Sequence, residues 1–142
     1  MPLYLLDTDT ISRLRNRDPV VMARAALVPT ADVCVSVITV EEQLDGWYAM
    51  LRRPVSKPRL VDVYQQLIET VQYYSTARIL PFPLLAMDRA DGLLKMRLNV
   101  RKNDLRIAAI ALEHGATVAT ANLRDFLRVP GLAVEDWTQP AP

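Results

Sequence analysis

Residues 3–10, Leu-Tyr-Leu-Leu-Asp-Thr-Asp-Thr, restrict the fold more than any other stretch: four consecutive apolar positions stop on an acid. An unbroken apolar run, as opposed to an alternating one, belongs to a strand covered on both faces, the situation of a central strand in a parallel sheet. The polar residues after it turn the chain into a helix, with Thr8 or Asp9 as cap and Arg15 near its end. The same succession recurs. Val33-Cys34-Val35-Ser36-Val37 is β-branched and apolar and passes at Ile38–Glu42 into a helix carrying Leu44, Trp47, Tyr48 and Leu51. Residues 78–83 read as a short strand closed by proline, 117–120 as the next, and 132–134 as the last.

Helices fill the intervals. Asp18-Pro19 pairs an N-cap with a proline at the first helical position, and Pro29 ends that segment. Two prolines and four basic residues make 52–59 a hydrated loop. From Leu60, residues Val63, Tyr64, Leu67, Ile68, Val71 and Tyr74 fall at helical spacing opposite a polar face. Met87, Ala90, Leu94 and Leu98 mark a further helix. Asn103-Asp104 opens one over 105–114 that is apolar nearly all round, hence buried, and Gly115 closes it. Strands alternating with helices predict an α/β domain: a parallel β-sheet, right-handed crossovers, helices on both faces. We expect one domain over 1–137, with Trp137 anchoring its end and 138–142 as a flexible tail.

A chain of 142 residues, half of them apolar, suffices for one core. Its formal charge of +1 provides no global field for a polyanion, so any nucleic-acid contact must be a local patch. The single cysteine, Cys34, reads as a small buried hydrophobe, and the lone His114 as a partner for the end of its helix. No leader pattern opens the chain and no apolar run approaches the roughly 18 residues of a membrane span, which predicts a soluble, cytoplasmic protein.

A crossover helix runs antiparallel to its strands, so its N-terminus shares an edge with the strand C-termini, where α/β proteins bind ligands. Asp7, Glu42, Asp104 and Asp125 all map to that edge. Each has an ordinary reading alone: a turn for Asp7, a capping box from Thr39 to Glu42, an N-cap at Asn103-Asp104, pairing of Asp125 with Arg124 or Arg128. Together they repel one another unless a cation neutralises them. Carboxylates suit Mg²⁺ or Mn²⁺, and one His and one Cys offer no competing soft site. A divalent-metal site follows.

Leu-Leu-Asp-Thr-Asp at 5–9, Ser-Val-Ile-Thr-Val-Glu-Glu-Gln-Leu-Asp-Gly at 36–46, Asn-Asp-Leu-Arg-Ile-Ala-Ala at 103–109 and Val-Ala-Thr-Ala-Asn-Leu-Arg-Asp-Phe at 118–126 resemble the four acidic blocks of PIN-domain nucleases. The ending at 129–137, Val-Pro-Gly-Leu-Ala-Val-Glu-Asp-Trp, is similar to that of VapC-type toxins of bacterial toxin–antitoxin pairs. The resemblance implies a Mg²⁺- or Mn²⁺-dependent ribonuclease with Asp7, Glu42, Asp104 and Asp125 as its acidic quartet. Asp7 and Asp104 would ligate the metal, Asp125 would support it, and Glu42 would orient or deprotonate the attacking water. It also implies an RNA substrate, a homodimer, and an antitoxin whose tail crosses the acidic groove. The apolar surface around Trp47, Tyr48, Leu51 and residues 60–74 is the expected contact for a second copy or the antitoxin. Arg101, Lys102 and Arg124 adjoin the acids in sequence and are the candidate RNA contacts.

The chain departs from the family pattern in three places. Asp9 stands where the family usually has Asn, either as a fifth ligand or, the preferred reading, as a helix cap; Asn122 is an amide in a slot that is sometimes acidic, and residues 98–103 lack the usual glycine-rich approach. Two alternatives remain: a silent PIN-like module that binds RNA or antitoxin, and a haloacid-dehalogenase-like phosphatase using Asp7 and Asp9.

Overall fold

The computed structural model describes residues 2–142. Its order is β1 (Tyr4–Leu6), α1 (Thr8–Arg15), α2 (Pro19–Ala26), β2 (Val33–Ser36), α3 (Val37–Leu51), α4 (Lys57–Ser75), β3 (Ile79–Leu80), α5 (Leu84–Lys95), α6 (Lys102–His114), β4 (Thr117–Ala119), α7 (Leu123–Phe126) and β5 (Ala133–Glu135), with a 3₁₀ turn at Thr30–Asp32. The strands form one parallel sheet in the order β3-β2-β1-β4-β5. Tyr4, Leu5 and Leu6 lie beside Thr117, Val118 and Ala119 of β4, and Tyr4 and Leu5 also beside Val33 and Cys34 of β2.

The apolar runs explain the two covered faces. Successive strand residues point to opposite sides of a sheet. Leu5, Cys34 and Val118 therefore pack with Ala90, Ile107, Ile110 and Phe126 on one face. Leu6, Val35 and Ala119 pack with Ile11, Tyr74 and Trp137 on the other. Trp137 is buried, tilted against the Tyr4 ring at 5.5 Å, and its indole N–H donates to Glu135. Arg24 donates to the carbonyls of Asp136 and Gln139 and pairs with Glu135, which ties the chain end to α2. Among the described residues no helix is long and apolar enough to cross a membrane.

Several boundaries differ from the sequence expectation, each for a local reason. Asp7, rather than Thr8 or Asp9, is the N-cap of α1, because β1 passes into the helix with no intervening loop. α3 begins at Val37 under a Ser36 cap, so Thr39 lies inside the helix and the capping box with Glu42 is not formed. Pro54 and Pro58 mark less loop than expected: Ser56 caps α4 and Pro58 occupies its first turn, where a missing N–H costs no helical bond. α6 starts at Lys102, which puts Asp104 within its first turn and not at its cap. Gly115 does close it, at φ 61°, and His114 meets the Ile110 carbonyl as a helix-end partner. The apolar stripe of α4 is divided: Val63 and Tyr74 face the core with Thr70, while Tyr64, Ile68 and Val71 are exposed together with Val61.

Candidate active site

In the strand order the chain grows outward from β1 to β2 and β3, then crosses back to add β4 and β5 on the other side. The crevice between β1 and β4, at their C-terminal ends, is the switch point at which ligands bind in open α/β sheets. Asp7 leaves β1 there and Thr120 leaves β4. The Thr120 hydroxyl donates to Asp7 Oδ2 at 2.6 Å across the crevice, and the other oxygen, Oδ1, accepts the backbone N–H of Thr10 at 2.9 Å. One side chain thus starts a helix and presents a carboxylate to the crevice. Asp7 is 7 % exposed, and burial raises its carboxyl pKa above the ordinary 3.8, against the lowering effect of the bonds from Thr120 and Thr10.

Asp104 enters from the first turn of α6 and is 6 % exposed. Arg101, at the N-cap of the same helix, reaches over it: Nε donates to Oδ2 and Nη2 to Oδ1, each at 3.2 Å. Nη2 also lies 4.0 Å from Glu42 Oε2. These acids raise the Arg101 pKa, the bond and charge of Asp104 first, Glu42 and Asp125 after it. Glu42 stands on the second turn of α3, where its Oε1 accepts the Thr8 hydroxyl at 2.7 Å; that hydroxyl also lies 3.0 Å from Thr39 Oγ1. Asp125, on α7, accepts the Asn122 amide at 2.8 Å and pairs with Arg128 at 3.4 Å. Asp7, Asp104 and Asp125 line one cleft of about 340 Å³ together with Thr8, Asp9, Arg101 and Asn122. Glu42 borders a second cleft of about 360 Å³ with Arg15, Gln43, Gly46 and Trp47, and is joined to the first through Thr8 and Arg101.

The three basic candidates separate. Arg101 sits on the acids, Arg124 is exposed beside them and makes no ion pair among the described residues, and Lys102 faces the α5 side of α6. Asp9 is not a cap; it pairs with Arg13 at 2.9 Å along α1. The two acids of the phosphatase reading consequently have separate duties, one capping and one pairing on the helix surface. Sequence reading overlooked Thr120 and took Thr8 only as a candidate cap. The signal for Thr120 is a hydroxyl residue just past a strand, on the same edge as the acids.

The donor set is all carboxylate oxygen, which fits a hard divalent cation. As the side chains stand, no group of three acids among the described residues converges to hold an ion. Each is turned to a protein partner: Asp7 to Thr120, Glu42 to Thr8, Asp104 to Arg101, Asp125 to Asn122 and Arg128. These partners give each of the four acids at least one donor, with Asp7, Asp104 and Asp125 on one cleft and Glu42 on its neighbour.

Comparison with known proteins agrees with this geometry. No family model matches the chain. It is 32 % identical over 135 residues to the tRNA(fMet)-specific endonuclease VapC of Salmonella typhimurium, covering 94 % of this chain and 97 % of that protein. It is 28 % identical over 144 residues to ribonuclease VapC1 of Haemophilus influenzae strain R2866, covering 96 % and 99 %. Among solved structures it superposes on DNA-bound VapBC from Salmonella typhimurium with a TM-score of 0.77 at 27 % identity, over 96 % of this chain and 99 % of that one. It superposes on FitAB bound to an IR36 DNA fragment with a TM-score of 0.71 at 26 % identity, over 99 % of both. With the acids at the β1/β4 crevice and near-complete coverage of a relative above 30 % identity, the chain belongs to the VapC family of PIN-domain ribonucleases.

Proposed function

We propose that this protein is the toxin of a toxin–antitoxin pair and hydrolyses RNA phosphodiester bonds at the crevice between β1 and β4. The observation that carries the reading is that Asp7, Asp104 and Asp125, from three separate segments, line one cleft to which Glu42, from a fourth, is joined through Arg101 and Thr8. A Mg²⁺ or Mn²⁺ ion held by Asp7, Asp104 and Asp125 would acidify the attacking water and offset charge on the phosphate. Thr120 fixes the orientation of Asp7, and the bond from Thr8 aims Glu42, which orients the water and accepts its proton. Arg101, which lines the cleft, and the exposed Arg124, next to Asp125 in sequence, would take phosphates beside the scissile bond, while Lys102 would meet the backbone farther along.

Solved relatives include a member of the VapBC family of toxin–antitoxin systems. This chain offers an antitoxin an apolar groove of about 820 Å³ between α1, α2 and the end of α4, floored by Ile11, Leu14, Met22, Ala25 and Tyr73. It suits the apolar face of an antitoxin segment. The outward stripe of α4, including Tyr64 and Ile68, suits a second copy of the chain.

Purified protein should cleave RNA in Mg²⁺ and stop on chelation, and an Asp7→Asn/Asp104→Asn double variant should not cleave. Equal cleavage by both proteins would refute the reading. Mapping the 5′ ends of transcripts cut after induction would identify the RNA target.

A further inference from the structure

We propose that Arg101 is the resident cation of the acidic cleft: it neutralises Asp104 and Glu42, yields Asp104 when a divalent ion is taken up, and then offers its guanidinium to the RNA phosphate. The inference rests on the metal-dependent nuclease reading above and adds to it a competition built into this chain.

Arg101 serves its own helix badly. It occupies the N-cap of α6 and makes no side-chain capping bond, although short polar residues are preferred there and a positive charge is disfavoured beside the helix N-terminus. Its placement makes sense through the acids. One N–H goes to each oxygen of Asp104 at 3.2 Å, and Nη2 lies 4.0 Å from Glu42. Of the other arginines nearby, Arg13 pairs with Asp9 and Asp18 and Arg128 with Asp125, while Arg124 makes no ion pair among the described residues. Among the described residues Arg101 is the one ion-pair partner that Asp104 and Glu42 have.

Exposure makes the exchange one-sided. The Arg101 side chain is 71 % exposed and that of Asp104 only 8 %. The guanidinium can move into water at little cost, whereas Asp104 cannot be left as a buried, unpaired charge. Asp104 thus passes from one cation to another. Both its oxygens are committed to Arg101, and a doubly charged ion at the same carboxylate would repel the guanidinium at contact distance, so the two occupants exclude each other. After displacement Arg101 remains at the mouth of the cleft, where a planar fork of donors matches a phosphate.

The test uses the full chain with Arg101→Gln, which removes the charge at similar length, and Arg101→Lys, which keeps it without the fork. Free Mn²⁺ is titrated by electron paramagnetic resonance at fixed pH and salt, and melting is followed with EDTA and with saturating Mn²⁺. The Gln variant should bind Mn²⁺ about tenfold tighter, equivalent to about 1.4 kcal/mol, with Lys intermediate. Its melting temperature should fall below wild type in EDTA and return to it in Mn²⁺. At saturating Mn²⁺ its KM for RNA should rise severalfold with kcat within about twofold, as loss of a binding contact requires. Unchanged or weaker Mn²⁺ affinity in the Gln variant, or a fall in kcat at constant KM, overturns the proposal. Failure of wild type and both variants to bind Mn²⁺ would overturn the metal reading beneath it.

Discussion

Replacing Asp7 by Asn should abolish cleavage and, without metal, make the protein more stable. The substitution is nearly isosteric and keeps the cap, since Asn and Asp are comparable at an N-cap and the Thr10 N–H still finds an oxygen. The amide can donate to Thr120 Oγ1 when that hydroxyl turns to accept. What disappears is a charge in a site 7 % exposed. Burial raises the Asp7 pKa above 3.8, so at neutral pH the ionised group is worse off in the folded protein than in the unfolded chain. The sign follows by linkage: with the folded pKa above the unfolded one, wild type is favoured at low pH and loses stability as pH climbs from 3.8 through the folded value. Removing the charge lifts that penalty at pH 7. For a domain of this size each 1 kcal/mol so recovered raises the melting temperature by about 2–4 °C. Thermal melts in EDTA between pH 3.5 and 8 should show the variant and wild type converging at acid pH and separating above it. Adding Mn²⁺ should raise wild type and leave the variant unmoved. A variant that melts several degrees below wild type at pH 7 in EDTA would refute the account of Asp7 as a buried charge under strain.

Three further outcomes are expected. Thr120→Val removes the hydroxyl that holds Asp7 Oδ2 at 2.6 Å, and should lower stability by about 1–2 kcal/mol and cleavage with it, read by denaturant unfolding and RNA assay. Gly115→Ala forces a side chain into φ 61° and should cost about 1 kcal/mol by the same unfolding assay, with cleavage retained, because only backbone conformation is at issue. Ile68→Glu places a charge in the exposed stripe of α4 and should shift the protein to monomer in light scattering without changing its melting in dilute solution; an unchanged mass would exclude this face as the contact between copies.

The sheet and its acidic edge were legible in the sequence because both are stated by local pattern. Residues 3–6 and 33–37 are apolar without alternation, which only strands buried on both faces require, and the edge assignment of Asp7, Glu42, Asp104 and Asp125 follows from the alternation of strand and helix alone. What escaped depends on single hydrogen bonds. Ser36 and Thr39 are both good caps three residues apart, and the choice between them is made by where β2 loses its neighbour β3, at the Ser36–Leu80 register. Pro58 reads equally as a breaker or as a first-turn residue until Ser56 is seen to cap. The periodicity of α4 does not say which edge of its apolar stripe faces the core: Val63 and Tyr74 are buried and Tyr64, Ile68 and Val71 are not, and Thr70 takes a buried position by accepting Trp47 Nε1 and donating to the Gln66 carbonyl, a pairing that periodicity does not encode.

The site itself shows why its acids look ordinary one at a time. Asp7 is a proper N-cap, Asp125 a proper i,i+3 partner for Arg128, and Glu42 an acceptor for a neighbouring hydroxyl. Each local bond satisfies a carboxylate that electrostatics would otherwise drive away from its fellows, and three of the four acids have a neutral hydroxyl or amide among their donors. Neutral donors can rearrange around a cation without leaving a charge behind. Asp104 lacks that option, being held by a guanidinium that a cation must displace. On the proposed reading Asp7 and Asp125 are compliant ligands, Glu42 is the base beside them and Asp104 is the contested ligand, which would set how much metal the protein needs before it can act.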